Sequence, residues 1–199
     1  MIHREALEWT NTWWEQAESE DLPRVLLIGD SISVGYHTAV QKELDGLYYV
    51  DRFSTSKFIS DPFFRRELEL YASEYTYRCI HFNHGLHGLD FPLEVYRDHY
   101  RRTLEMLLAR CPRVILALST PITEVDHPDV LSAELNPVVL ARNEAVLRLA
   151  EEYRLPVNDL YEAVAGKPSI RKADGYHYTE EGAALQGKQV AQAVRKAAE

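Results

Sequence analysis

The sequence predicts an α/β domain: a mostly parallel sheet of about five strands with helices on both faces. Three observations carry this. Short apolar runs alternate with longer stretches of helical period, the pattern of parallel strands joined by crossover helices. The apolar runs are nearly continuous rather than alternating, as strands buried on both faces require. No repeat or low-complexity linker interrupts the pattern, and 199 residues are enough for one domain with a substantial core, so residues 1–199 are expected to form a single unit.

In order along the chain, Arg4 to Glu18 reads as an additional N-terminal helix (about 4–18), because Trp9, Trp13 and Ala17 fall on one helical face beside Trp14. Val25-Leu26-Leu27-Ile28 is the first buried strand, and Val34 to Leu44 the helix after it. Leu47-Tyr48-Tyr49-Val50 is the second strand, followed by a helix over Pro62 to Tyr71. Cys79 to Phe82 is the third strand. The helix from Pro92 to Arg110 then places Leu93, Tyr96, Tyr100, Leu104 and Leu107 on one face at steps of three and four. Val114 to Leu118 is the fourth strand, and Val138 to Tyr153 the next helix. Leu155-Pro156-Val157 is a weak fifth strand, placed at an edge by its proline. Thr179 can cap the last helix, with Glu180 and Glu181 well placed against its dipole. Residues 119–137, with three prolines, form the longest irregular stretch and a candidate site rim.

Composition narrows the function. Apolar residues make up 46% and charged residues 27% of the chain, the profile of an ordinary globular protein. A net charge of −9, from 31 acidic and 22 basic residues, argues against a nucleic-acid partner. No apolar run is long enough for a membrane span, and residues 5–21 are polar and acidic rather than signal-like. Cys79 and Cys111 read as buried free thiols, so the expected location is cytoplasmic, with no membrane partner. The oligomeric state stays open.

Two short strings carry candidate chemistry. Gly29-Asp30-Ser31-Ile32-Ser33 follows the first strand, so Ser31 stands where a parallel strand ends and a helix begins. That is where α/β sheets bind ligands and where free backbone N–H groups favour negative charge. Asp174-Gly175-Tyr176-His177 precedes the last helix, and its Asp-Gly turn can aim both side chains at one place. A serine hydroxyl becomes a nucleophile when a base takes its proton, and a carboxylate can hold that base in the correct tautomer. Ser31, His177 and Asp174 are therefore the candidate nucleophile, base and orienting acid. The alternative for each string alone is structural: a helix cap at Asp30 or Ser31, and a surface turn at Asp174 to His177. A Gly-x-Ser-x-Gly nucleophile elbow is excluded, because position 33 is serine.

With Gly29-Asp30-Ser31 after the first strand and Asp174-Gly175-Tyr176-His177 before the last helix, the chain resembles the SGNH (GDSL-like) hydrolase family. The resemblance implies a flavodoxin-like three-layer αβα sandwich and hydrolysis of small acyl esters, with Ser31 as nucleophile, His177 as base and Asp174 as its partner. It implies no cofactor and no metal, and a small acylated molecule as substrate. Acetyl esters on carbohydrates are the family-level expectation, with lipid esters also open; no long apolar loop announces a lipid lid, which favours short acyl groups. Acyl transfer or thioester cleavage by the same three residues, or a non-catalytic module binding an anion at the helix start, are the alternatives.

The oxyanion hole departs from the family pattern. The family draws donors from the serine N–H, a glycine N–H in a second block and an asparagine in a Gly-x-Asn-Asp block. Here Gly85-Leu86-His87 puts a histidine in the asparagine position, and Asn83 lies two residues before that glycine. Asn83 is favoured, because a neutral amide donates at any pH; His87 is the other candidate, as donor or pocket wall. The second block, Arg52 to Lys57, has no glycine, and Ser54 is assigned by position for its backbone N–H. His81, His84 and His87 step by three, but they leave a strand and enter a Gly-containing turn, so no metal site is assigned.

Overall fold

A computed structural model describes residues 4–199. Residues 1–3 of the span expected as one unit lie outside the described residues. A six-stranded sheet has the order β1-β3-β2-β4-β5-β8, built from β1 (Thr10–Trp13), β2 (Arg24–Gly29), β3 (Tyr49–Thr55), β4 (Tyr77–Phe82), β5 (Val114–Ala117) and β8 (Val157–Asn158). All neighbours are parallel except the edge pair β1–β3. The strand order reverses direction at β2, which has β3 on one side and β4 on the other. Its carboxyl end is thus a topological switch point, and the next helix begins at Ser31.

Strand alternation divides the core between the two faces. Leu26 and Ile28 point to one side, where they pack with Phe64 and Leu68 of α2 (Pro62–Ala72), Tyr96 and Leu104 of α3 (Leu93–Leu108), and Val146 and Leu149 of α4 (Asn136–Tyr153). Val25 and Leu27 point to the other, against Tyr36 and Val40 of α1 (Ser31–Leu44), Leu160 of α5 (Leu160–Val164), and Val190 and Val194 of α6 (Glu180–Ala198). This is the three-layer arrangement expected from the sequence. Thr179 caps α6 by accepting from the Gly182 N–H. Cys79 and Cys111 are buried and free.

Three expectations are corrected. The N-terminal helix at about 4–18 is absent; its centre is strand β1, antiparallel to β3. Thr10, Asn11 and Thr12 are poor helix formers, and the outer edge of β3 would otherwise present unpaired backbone groups. Trp14 instead stacks on Tyr71 at 4.7 Å between ring centroids. The second strand runs over Tyr49–Thr55 rather than Leu47–Val50. Its buried charges are satisfied in place: Asp51 binds Arg24 at 2.9 Å, and Arg52 donates to the Asn11 side chain. The stretch 119–137 contains a hairpin, β6 (Thr123–Glu124) and β7 (His127–Leu131), turned at Asp126 with φ 63°. Aspartate tolerates that left-handed conformation better than most residues.

Candidate active site

The site is assembled at the carboxyl ends of β2 and β4. Asp30 caps α1, its Oδ1 accepting from the Ile32 N–H at 2.9 Å, so the cap does not consume the Ser31 hydroxyl. Ser33 turns back to donate to the Asp30 carbonyl at 2.6 Å and shares a hydrogen bond with Ser54. Gly29 is required there: a Cβ would lie 2.6 Å from that of Ser33.

Ser31 and His177 meet across the fold, with Ser31 Oγ 2.7 Å from His177 Nε2. His177 Nδ1 lies 2.9 Å from Asp174 Oδ2. A carboxylate can only accept, so Nδ1 carries the proton and Nε2 presents its lone pair to the serine hydroxyl. Asp174 Oδ1 accepts from the backbone N–H groups of Tyr176 at 2.9 Å and His177 at 2.8 Å. Partial burial works against the Asp174 charge, but these N–H groups and the imidazole outweigh it and hold its carboxyl below the usual range.

The loop carrying Asp174 and His177 is fixed by its neighbours. Buried Arg171 donates to Tyr178 Oη, Pro121 O and Gly175 O. Gly175 has φ +84°, and its carbonyl accepts from the Thr123 N–H at 2.9 Å. The β6–β7 hairpin therefore braces the segment that carries Asp174 and His177.

Two cavities flank Ser31 and His177. The smaller, about 330 Å³, is walled by Trp9, Ile32, Val34 and Tyr36, with Gln186 and Lys172. The larger, about 610 Å³, combines Leu86, Leu135, Val138 and Tyr176 with His87 and Glu134, and includes Glu5 and Asp90.

The oxyanion candidates occupy different places. His87 lines the larger cavity with Ser31 and His177, and its Nδ1 is 2.8 Å from Glu5 Oε1. Burial alone would lower the His87 pKa, but the Glu5 hydrogen bond and the charges of Asp30 and Glu5 raise it overall. The same hydrogen bond holds the Glu5 carboxyl low. Asn83 is buried and donates through Nδ2 to the Ala117 carbonyl at 2.9 Å. Ser54 is fully buried in β3, between Asn11 of β1 and Gly29 of β2. Neither Asn83 nor Ser54 lines either cavity.

The three histidines at steps of three turn to separate partners. His81 Nε2 accepts from Asn158, and His84 Nε2 donates to Lys57 O. Burial pushes His81 down to about 4 and His84 down to about 3, so both are neutral. Among the described residues no group of three His, Cys, Asp or Glu side chains could hold a metal ion. No helix among them is long and apolar enough to cross a membrane.

Two residues escaped sequence reasoning. Glu5 sits in an acidic stretch with no motif, far in sequence from the histidine it binds. Arg142 reads as an ordinary helical arginine, yet its side chain is 1% exposed and donates to the carbonyls of Gly85 at 3.1 Å, His87 at 2.7 Å and Gly88. Its guanidinium also lies over the rings of Tyr96 and Phe58, at 4.6 and 5.2 Å. The side-chain amide of its helix neighbour Asn143 accepts from the Ser119 N–H at 2.8 Å and donates to the Ser119 carbonyl at 2.9 Å.

No protein-family model matches the chain, and neither does any curated protein sequence. Solved structures do. A carbohydrate acetylesterase from Sinorhizobium meliloti, Est24, superposes with TM-score 0.71 at 14% identity, over 87% of this chain and 99% of that one. A GDSL-like lipase from Bacteroides thetaiotaomicron gives 0.70 at 18% identity, over 87% and 88%. An acetyl xylan esterase, AlAXEase, gives 0.69 at 19% identity, over 86% and 99%. At these identities what is shared is architecture, and the chain has the SGNH-type α/β fold of these GDSL-like lipases and acetylesterases.

Proposed function

We propose that this protein is a serine ester hydrolase acting on small acyl esters, with Ser31 as nucleophile, His177 as general base and acid, and Asp174 as its orienting carboxylate. The observation that carries the reading is the unbroken chain of hydrogen bonds from Asp174 through His177 to Ser31. Ser31 Oγ attacks the ester carbonyl as its proton passes to His177 Nε2. The tetrahedral intermediate collapses, the C–O bond to the alcohol breaks, and His177 returns the proton to the leaving oxygen. Water, deprotonated by the same nitrogen, then releases the acid and restores Ser31. The sequence needs no cofactor. Ser31 opens α1, so its own N–H and the positive end of the helix favour the developing oxyanion.

The substrate we infer is an acetyl ester of a hydroxylated molecule such as a sugar. Two structural neighbours are named as acetylesterases of carbohydrate or xylan. The larger cavity is suited to such a leaving group: Glu134 beside Tyr176 and Leu135 offers an acceptor for hydroxyls next to surface on which a ring can rest. The smaller cavity then receives the acyl group.

The test is hydrolysis of p-nitrophenyl acetate, butyrate and octanoate, and of acetylated xylo-oligosaccharide, by wild type and Ser31→Ala. Serine-dependent turnover that falls with chain length supports the reading. Turnover that survives Ser31→Ala sinks the mechanism.

A further inference from the structure

Resting on that function, we propose that His87 is the side-chain donor of the oxyanion hole and acts as an imidazolium, with Glu5 as the residue that positions it and keeps it charged.

The argument begins with the ring nitrogens. His87 Nδ1 is engaged by Glu5 Oε1 at 2.8 Å, so Nδ1 carries a proton. Nε2 is the nitrogen left for a substrate in the cavity that His87 shares with Ser31 and His177. In the neutral ring with Nδ1 protonated, Nε2 holds a lone pair and would repel an oxyanion. Only the imidazolium places an N–H there. A neutral amide in this position donates at every pH, whereas a histidine donates only below its own pKa.

The surroundings are built for this. The Glu5 carboxyl is held low chiefly by the ring, with a smaller contribution from the Gly88 backbone. Glu5 from the N-terminal arm and Asp30 from the β2–α1 turn favour the charged ring; His84 on the same loop is neutral. Arg142 of α4 opposes the charge, more weakly than Glu5 and Asp30 favour it; its Nη1 and Nη2 donate to the carbonyls of Gly85, His87 and Gly88 and so fix the loop that carries the ring. Asp90, Glu134 and His177 line the same cavity. Asn83 has its amide on Ala117 and lies outside it.

The consequence is an alkaline limb in the pH profile that belongs to His87. Activity is lost as pH rises through the His87 pKa, and the Glu5 pairing moves that loss to higher pH than an ordinary histidine would give.

The experiment measures kcat/KM for p-nitrophenyl acetate, and the rate of fluorophosphonate labelling of Ser31, from pH 5 to 10. The proteins are wild type, His87→Asn, His87→Ala and Glu5→Gln, each checked for folding by circular dichroism. We expect His87→Ala to lose about a hundredfold or more. His87→Asn should recover most of that loss and show no alkaline limb. Glu5→Gln should move the limb to lower pH. A 13C-histidine titration of Ser31→Ala, which needs no turnover and leaves His87 in place, should show His87 charged above the pH where an ordinary histidine titrates. A wild-type profile without an alkaline limb, a limb unmoved by His87→Asn, or a His87 neutral in that titration would overturn the proposal while leaving Ser31 chemistry intact. Absence of Ser31 labelling at every pH would remove the hydrolase reading and this inference with it.

Discussion

His177 Nε2 and Ser31 Oγ lie 2.7 Å apart although 146 positions separate them in the chain. Ser31 is held by the first turn of α1 on a cap that Asp30 supplies, and His177 by a loop braced against the β6–β7 hairpin. The contact therefore depends on the whole fold and on the supports on each side of it.

Asp174→Asn keeps the size of the side chain but can donate to His177 Nδ1, which would favour the wrong tautomer. We expect kcat/KM to fall by about 10²–10⁴, read with p-nitrophenyl acetate at constant pH. Asp174 also has a sign for stability. Its folded pKa is depressed, so its contribution is present above the unfolded pKa of about 4 and is lost as pH falls through the lower folded value. The melting temperature of wild type should thus fall more steeply than that of Asp174→Asn between about pH 4 and 2. Parallel curves would show that the carboxylate contributes no such coupling.

Gly175→Ala tests the loop. The residue has φ +84°, and a Cβ would lie 2.5 Å from the Thr123 carbonyl oxygen, a backbone atom that cannot step aside. A loss of about 1–3 kcal/mol in urea unfolding is expected, with a larger proportional loss of turnover as His177 moves. Wild-type kinetics in this variant would mean that the hairpin does not set the base.

Arg142→Met fills similar volume without donors. It leaves the carbonyls of Gly85, His87 and Gly88 without their buried partner. We expect a destabilisation of about 2–5 kcal/mol and an intermediate value for Arg142→Lys, whose ammonium cannot reproduce the planar fork. Chemical denaturation of both variants gives the comparison.

Asp51→Asn removes the charge that faces buried Arg24, which also donates to the carbonyls of Glu15, Gln16 and Ser19. A loss of about 3–5 kcal/mol is expected from an uncompensated guanidinium. Hydrogen exchange should show the amides of Thr10–Trp13 losing protection first.

Most of the architecture could be read from the sequence where burial is two-sided. Val25–Ile28 and Val114–Ala117 are continuous apolar runs, Cys79–Phe82 is one broken only by His81, and all three are strands. β3 was misplaced because Asp51 and Arg52 look like loop residues until their partners, distant in sequence, are known. The N-terminal segment was misread because Trp9, Trp13 and Ala17 share a helical period by coincidence, while the backbone demand of the β3 edge leaves no mark in local sequence. At the site, Ser31, Asp174 and His177 were legible because each stands in a short pattern beside a strand end or helix start. The Glu5–His87 pairing was not, since nothing near either residue encodes contact between the arm and the loop after β4.

The arm before β2 covers β3 with the short strand Thr10–Trp13, which is itself the edge of the sheet, walls the smaller cavity with Trp9 and Asn11, and reaches the larger one with Glu5. Edge protection and ligand selection are thus bound into one short length of chain. An evolving lineage, or an engineer grafting a new arm to change selectivity, would at the same time be rewriting the protein's defence against edge-to-edge self-association.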